Sequence, residues 1–229
     1  MFLKLLTNLT LSLLTIAVAL PAKGNSEENN APPVFLLITG CARSGTGYIS
    51  HVLQKNGLDI GHESMGRDGI SSWVMAIMTD EPAWGPIPSE VQFEHIFHQV
   101  RDPLKVISSV YISEPQISWD YIIKNIPEIN LEDSKAEKTA KYWYYWNLRA
   151  DERAEWTYRV EALDEVWEEM EARLGLSLDR SSMNQVPKNY NTRESHPFTW
   201  ASLREALTPD TYMKVRTLAQ FYGYVLPVD

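Results

Sequence analysis

Apolar and polar positions along this chain fall into short runs of two periods. Val34–Thr39 is a continuous apolar run, the pattern of a strand covered on both faces. From Gly47 to Gln54, the residues Tyr48, Ile49, Val52 and Leu53 fall at helical spacing, so a helix beginning near Thr46 follows that strand. Leu58–Ile60 predicts a second short strand running into Gly61-His62-Glu63. Ser71–Met78 predicts a helix, and Pro82 to Pro88 a loop rich in turn residues. Phe93–Val100 alternates as a strand does, and Pro103 suits the first turn of a helix through Val110. Ser134 to Arg149 reads as a long helix carrying Tyr142, Trp143, Tyr145 and Trp146. Trp156 to Val160 is a late strand, and Leu163 to Leu174 an amphipathic helix. Thr199 caps a helix through Ala206, and a last helix runs from about Pro209 to Phe221 before Gly223.

Strands alternating with helices predict an α/β fold of three layers, P-loop-like, with a central parallel sheet flanked by helices. In such sheets ligands bind beyond the carboxyl ends of the strands. The loop after the first strand, Gly61-His62-Glu63 and Arg101-Asp102-Pro103 all fall at such ends, so three candidate sites should converge on one rim. The chain has 229 residues, 44% of them hydrophobic, enough for one such domain over 34–229. No internal repeat is visible.

The chemistry concentrates in Gly40-Cys41-Ala42-Arg43-Ser44-Gly45-Thr46-Gly47. A glycine-rich turn between strand and helix aims backbone N–H groups and the positive end of a helix dipole at one spot, where phosphate would sit. The spacing Gly40-x4-Gly45 is that of a P-loop. A nucleoside triphosphatase puts Lys and then Ser/Thr after the second glycine, for the phosphates and for Mg²⁺. Here those positions hold Thr46 and Gly47, and the cation sits inside the loop as Arg43. The loop reads as built for a phosphate-like anion without a metal. Cys41 is the single cysteine, so no intramolecular disulfide is possible, and its place suits a small residue packed beneath the turn.

Charge narrows the partners. Residues 1–22 carry Lys4 and no acid, leaving 20 cationic and 30 acidic side chains in the rest, a net −10. An acidic body argues against nucleic acid and makes a local cationic pocket stand out. Leu5 to Leu20 is an apolar span behind a short basic start, followed by a polar linker over 23–33. A span this short suits a signal peptide, with an uncleaved signal anchor as the alternative that would tie the protein to a membrane.

The pairing of Arg43-Ser44-Gly45-Thr46 with Arg101-x-Pro103 and Ser109 resembles the sulfotransferase superfamily that uses 3′-phosphoadenosine 5′-phosphosulfate (PAPS). The resemblance spans roughly residues 34–225. It implies that Arg43, Ser44, Gly45, Thr46 and Gly47 hold the 5′-phosphosulfate, with Arg43 also contacting the transferring group. It implies that Arg101 and Ser109 hold the 3′-phosphate. Tyr48 stands where the family often has an aromatic near the adenine, or else is a core contact. Tyr158-Arg-Val-Glu161-Ala-Leu163 is similar to the family's strand before a late helix. Asn191-Thr-Arg193 with Phe198-Thr-Trp200 is similar to its C-terminal segment, so Arg193 either reaches the 3′-phosphate or is a surface cation.

An acceptor that attacks the sulfur must lose a proton, which calls for a His or a carboxylate nearby. In the luminal branches of the family a Glu lies about two dozen residues after the first motif, where Gly61-His62-Glu63 stands. Glu63 is the expected base, with His62 as the alternative or as its orienting partner. The resemblance implies transfer of sulfuryl from PAPS to a hydroxyl or amine, releasing adenosine 3′,5′-bisphosphate, with no metal. The acceptor stays open among carbohydrate, tyrosine and small hydroxyl compounds. The donor's supply favours a Golgi lumen over a periplasm or the extracellular space. The rival readings are a P-loop nucleotide kinase or phosphotransferase, and a non-catalytic nucleotide-binding protein of the same fold. Trp73, Trp84 and the Tyr142–Trp146 cluster read as core or as the wall of an acceptor pocket. His95 and His98 read as structural, and Glu165–Glu171 as a solvated helix face.

Overall fold

The computed structural model describes residues 32–77, 91–187, 190, 193 and 195–228. The N-terminal apolar span, most of the polar linker, the loop from Pro82 to Pro88, Trp84, Asn191 and Thr192 lie outside the described residues. Five strands, β1 (Val34–Thr39), β2 (Ile60–His62), β3 (Gly69–Ser71), β4 (Phe93–Val100) and β5 (Trp156–Arg159), form one sheet in the order β2-β3-β1-β4-β5. Every pairing is parallel, with Leu37 opposite Ile70 on one side and Ile96 on the other. The fold is α/β, three-layered and P-loop-like, as the alternation predicted.

Period-two alternation in β1 sends Leu36 and Ile38 to one face and Leu37 to the other. The first face packs against α1 (Thr46–Lys55), α5 (Trp167–Leu174) and α6 (Ser182–Gln185). The second, larger face carries α2 (Pro103–Ser113), α3 (Gln116–Asn125), α4 (Lys135–Arg153), α7 (Trp200–Ala206) and α8 (Pro209–Phe221). Its centre is aromatic: Tyr142, Trp143 and Trp146 of α4 are fully buried, with Trp73 5.1 Å from Trp146. Tyr142, Trp143 and Trp146 are therefore core, whereas Tyr145 is only partly buried against them. Among the described residues no helix is long and apolar enough to cross a membrane.

Several predicted elements differ in detail. The span from Ser71 onward is not one helix: it holds the end of β3 and a single 3₁₀ turn at Val74–Ala76. Backbone contact decides this, because a Cβ at Gly69 would lie 1.9 Å from the carbonyl oxygen of Leu36 in β1. A three-residue strand squeezed between two neighbours leaves almost no periodic pattern. β2 begins at Ile60 rather than Leu58, so His62 ends the strand and Glu63 starts the turn. α5 starts at Trp167, after a 3₁₀ turn at Val160–Ala162. α3 and α6 were not predicted, although Trp119, Ile122 and Ile123 of α3 fall at helical spacing.

Candidate active site

The loop after β1 is held from beneath. A Cβ at Gly40 would stand 2.2 Å from the carbonyl oxygen of Gln99, so only glycine lets the chain leave β1 so close to β4. The Gln99 side chain donates to the Ser44 carbonyl at 2.9 Å and accepts from the Tyr158 hydroxyl at 2.7 Å. The Ala42 N–H donates to the Tyr142 hydroxyl at 2.7 Å. Cys41 lies fully buried below the turn, its thiol against the Trp143 carbonyl at 3.7 Å, and burial pushes its pKa well up. It is packing, with no thiolate character. Above this floor, α1 opens on Gly45 at φ 96° with no side-chain cap. Its first-turn N–H groups are thus left for an anion.

The second motif meets the first directly. Arg101, just past β4, donates from Nη1 to the Arg43 carbonyl at 2.9 Å. Arg43 Nε donates to Ser109 Oγ on α2 at 3.2 Å. Asp102 caps α2 by accepting from the Lys105 N–H at 3.2 Å, with Pro103 in the first turn. The Trp143 indole donates to the Arg101 carbonyl at 3.3 Å, and Glu161 accepts from the Asp102 N–H at 3.1 Å. Burial pulls the Arg43 guanidinium's pKa down, Arg193 and Arg101 push it the same way, and Glu114 opposes them. Cations crowded together inside a chain of net charge −9 are relieved by an anion.

Glu63 lies across the loop, after β2. It and Arg43 are the two non-glycine residues with positive φ among the described residues, at 56° and 70°. Such backbone conformations persist only where surrounding contacts hold them, and they gather at functional sites. The Ser72 hydroxyl donates to Glu63 Oε2 at 2.5 Å and the Trp73 N–H to Oε1 at 3.4 Å. Burial lifts the Glu63 pKa from an ordinary 4.5 to about 7, Glu114 adds to the rise, and the two hydrogen bonds oppose it. His62 Nε2 sits 3.3 Å from Thr46 Oγ1 and 3.6 Å from Glu63 Oε1. Burial first, then His51 and Arg43, hold its pKa below 6.5, so the imidazole is neutral at pH 7.

Two chambers meet at this loop. The larger, about 1020 Å³, runs past Arg101, Lys105 and Ser109 on one side and Glu161 and Asn184 on the other. The smaller, about 190 Å³, contains His62, Glu63, Trp73 and Glu114. Arg43, Gly45, Tyr48, Arg101, Tyr190 and Arg193 border both. Thr46 and Gly47 face the smaller one.

The residues expected from the sequence are thus gathered on one rim, with one exception in kind. Ser44 borders neither chamber: its hydroxyl is buried in the loop with no hydrogen-bond partner among the described residues. Tyr48 donates to the Met183 carbonyl at 3.2 Å and also faces both chambers. Arg193 is exposed and lies 3.4 Å from the Ser113 carbonyl. Trp73 is a wall of the smaller chamber. His95 pairs with Glu155 at 2.9 Å, and His98 is buried against Asn147 and Asp151. Sequence reasoning missed Ser72, Gln99, Glu114 and Tyr190. Gln99 carried a faint signal, as a buried-strand position occupied by an amide. The others meet the site only through tertiary folding.

No protein-family model, no curated protein and no solved structure matches this chain.

Proposed function

We propose that this protein is a PAPS-dependent sulfotransferase, moving a sulfuryl group to an acceptor hydroxyl or amine. The observation that carries the reading is the junction of the two motifs. Arg43, Ser109 and Arg101 are joined by hydrogen bonds at the mouth of a chamber near the upper end of the ~300–1,000 Å³ usual for small-molecule sites. The chamber's volume and its lining by Arg43, Arg101, Lys105 and Arg193 suit a donor with anionic groups at both ends. Arg101 and Ser109 would take its 3′-phosphate, and the α1 N-terminus with Arg43 its 5′-phosphosulfate.

In the transfer, the bond from sulfur to the bridging oxygen breaks and that oxygen keeps the electron pair as adenosine 3′,5′-bisphosphate leaves. Fixed N–H groups and the planar Arg43 guanidinium stabilise the charge that spreads over the transferring group. Glu63, in the adjoining chamber, accepts the acceptor's proton. Its pKa of about 7 suits a base working near neutrality. His62, neutral and between Thr46 and Glu63, is its positioning partner. Thr46 in place of the lysine, and Gly47 in place of the metal-holding hydroxyl residue, speak against the kinase reading.

Calorimetry with adenosine 3′,5′-bisphosphate tests the reading on the full chain. Binding should occur without added magnesium, and Arg43→Ala and Arg101→Ala should each weaken it by about 10- to 100-fold, the worth of a charge-assisted hydrogen bond. No binding, or turnover of ATP that a chelator abolishes, overturns it.

A further inference from the structure

The smaller chamber contains a second carboxylate that proton transfer leaves without a task. Glu114 ends α2, half-buried beside Pro115. Arg43 and Arg193 act on it through space, but no salt bridge among the described residues holds it. A half-buried carboxylate without an ion pair is costly, and a cation brought to it removes that cost. Ser118, fully buried, lines the same chamber. Its hydroxyl, near enough to steady the Glu114 charge, completes no hydrogen bond among the described residues. A carboxylate and an unsatisfied hydroxyl therefore face one small cavity.

The size and walls of that cavity narrow its occupant. It is open on one side, and its roughly 190 Å³ is room to seat a single ring, since a cavity of about 150 Å³ holds benzene. Trp73, Pro115 and Tyr190 supply flat apolar surface. Electrostatics narrows it again. Arg43, Arg101 and Arg193 line this chamber as well as the larger one, where the anionic donor would neutralise them. What then faces an incoming acceptor is the sulfuryl group, Glu63 and Glu114, in a chain of net charge −9. An anionic acceptor, such as an acidic polysaccharide or acidic peptide, would be repelled.

Resting on the sulfotransferase reading, we infer that the acceptor is a compact single-ring hydroxyl compound carrying a positive charge. Its hydroxyl meets Glu63 and its cationic group meets Glu114, with Ser118 beside it. The acceptor oxygen forms the new bond to sulfur as the donor's S–O bond breaks, and the proton passes to the Glu63 carboxylate.

Three near-isosteric phenols test this, with PAPS as donor: cationic tyramine, neutral 4-ethylphenol and anionic 4-hydroxyphenylacetate. kcat/KM should fall in that order, by about tenfold at each step. In Glu114→Gln the ratio of tyramine to 4-ethylphenol should collapse toward one, and Glu114→Asp should restore part of it. Equal use of the three phenols, preference for the anion, or no transfer to any of them overturns the inference. Should a variant fail to fold, the wild-type series by itself decides between these outcomes. Adenosine 3′,5′-bisphosphate binding, measured in parallel, separates the two failures: bisphosphate binding without this acceptor order sinks only the inference, whereas no binding sinks the sulfotransferase reading.

Discussion

Glu63 concentrates the proposed chemistry into one side chain. Its backbone is left-handed, two donors grip its carboxylate, and burial still raises its pKa to about 7. As the proposed base it must be ionised, so kcat/KM should drop about tenfold per pH unit below about 7. Glu63→Gln should lower the rate by roughly 10²- to 10⁴-fold and abolish that acid limb, whereas His62→Asn should keep the limb. The same group has a stability cost. Its folded pKa lies above the ordinary 4.5, so the folded state holds the proton more tightly between about pH 4.5 and 7. Stability contributed by Glu63 is therefore present at low pH and lost as pH rises through that window. Glu63→Gln should be more stable than wild type at pH 8, by on the order of 1–3 kcal/mol in urea unfolding, and little different at pH 4.5. A variant that is less stable at pH 8 contradicts the buried, reluctantly ionised carboxylate. Arg43, Arg101 and Ser109 were legible in the sequence because each stands at a fixed offset in a local motif. Glu114 was not, since a single acid after a helix looks like any surface acid until folding brings it into the chamber that holds Glu63.

At the scale of elements, boundaries that rest on local chemistry were well predicted. Pro103 after Asp102, Ser134 before α4, Thr199 before α7 and Thr208-Pro209 before α8 each mark a helix start with a side-chain cap or a proline. β3 was not legible, because three residues buried between neighbours carry almost no period; α3 went unpredicted although Trp119, Ile122 and Ile123 fall at helical spacing. One cap is made over a long distance. Glu137, buried in α4, accepts from the N–H and hydroxyl of Thr208, each at 2.9 Å, and from the Thr211 hydroxyl, so it fastens the start of α8 to α4. Glu137→Ala should cost about 1–3 kcal/mol of unfolding free energy, because it leaves buried donors without a partner. Urea titration reads that loss, and an unchanged midpoint would mean water replaces the carboxylate at no cost.

For the molecule as a whole, the sheet acts as the frame that brings two distant motifs together. The Tyr158–Gln99–Ser44 chain of hydrogen bonds runs from edge strand β5 through β4 to the loop after β1. Gln99→Ala removes the middle link and leaves a buried tyrosine hydroxyl and a loop carbonyl unpaired. It should cost about 2–4 kcal/mol in stability and also weaken adenosine 3′,5′-bisphosphate binding in calorimetry, although Gln99 lines neither chamber. Unchanged affinity would separate the loop's shape from its support. The sequence by itself determined the α/β class, the phosphate-type loop and the residue kinds at each strand end, because short-range periodicity and glycine spacing are local properties. Only the tertiary structure decided that Arg101 hydrogen-bonds to Arg43, that Glu63 is buried enough to titrate near neutrality, and that Glu114 shares its chamber. Those depend on which strands lie side by side and on what water is excluded, and no local pattern encodes either.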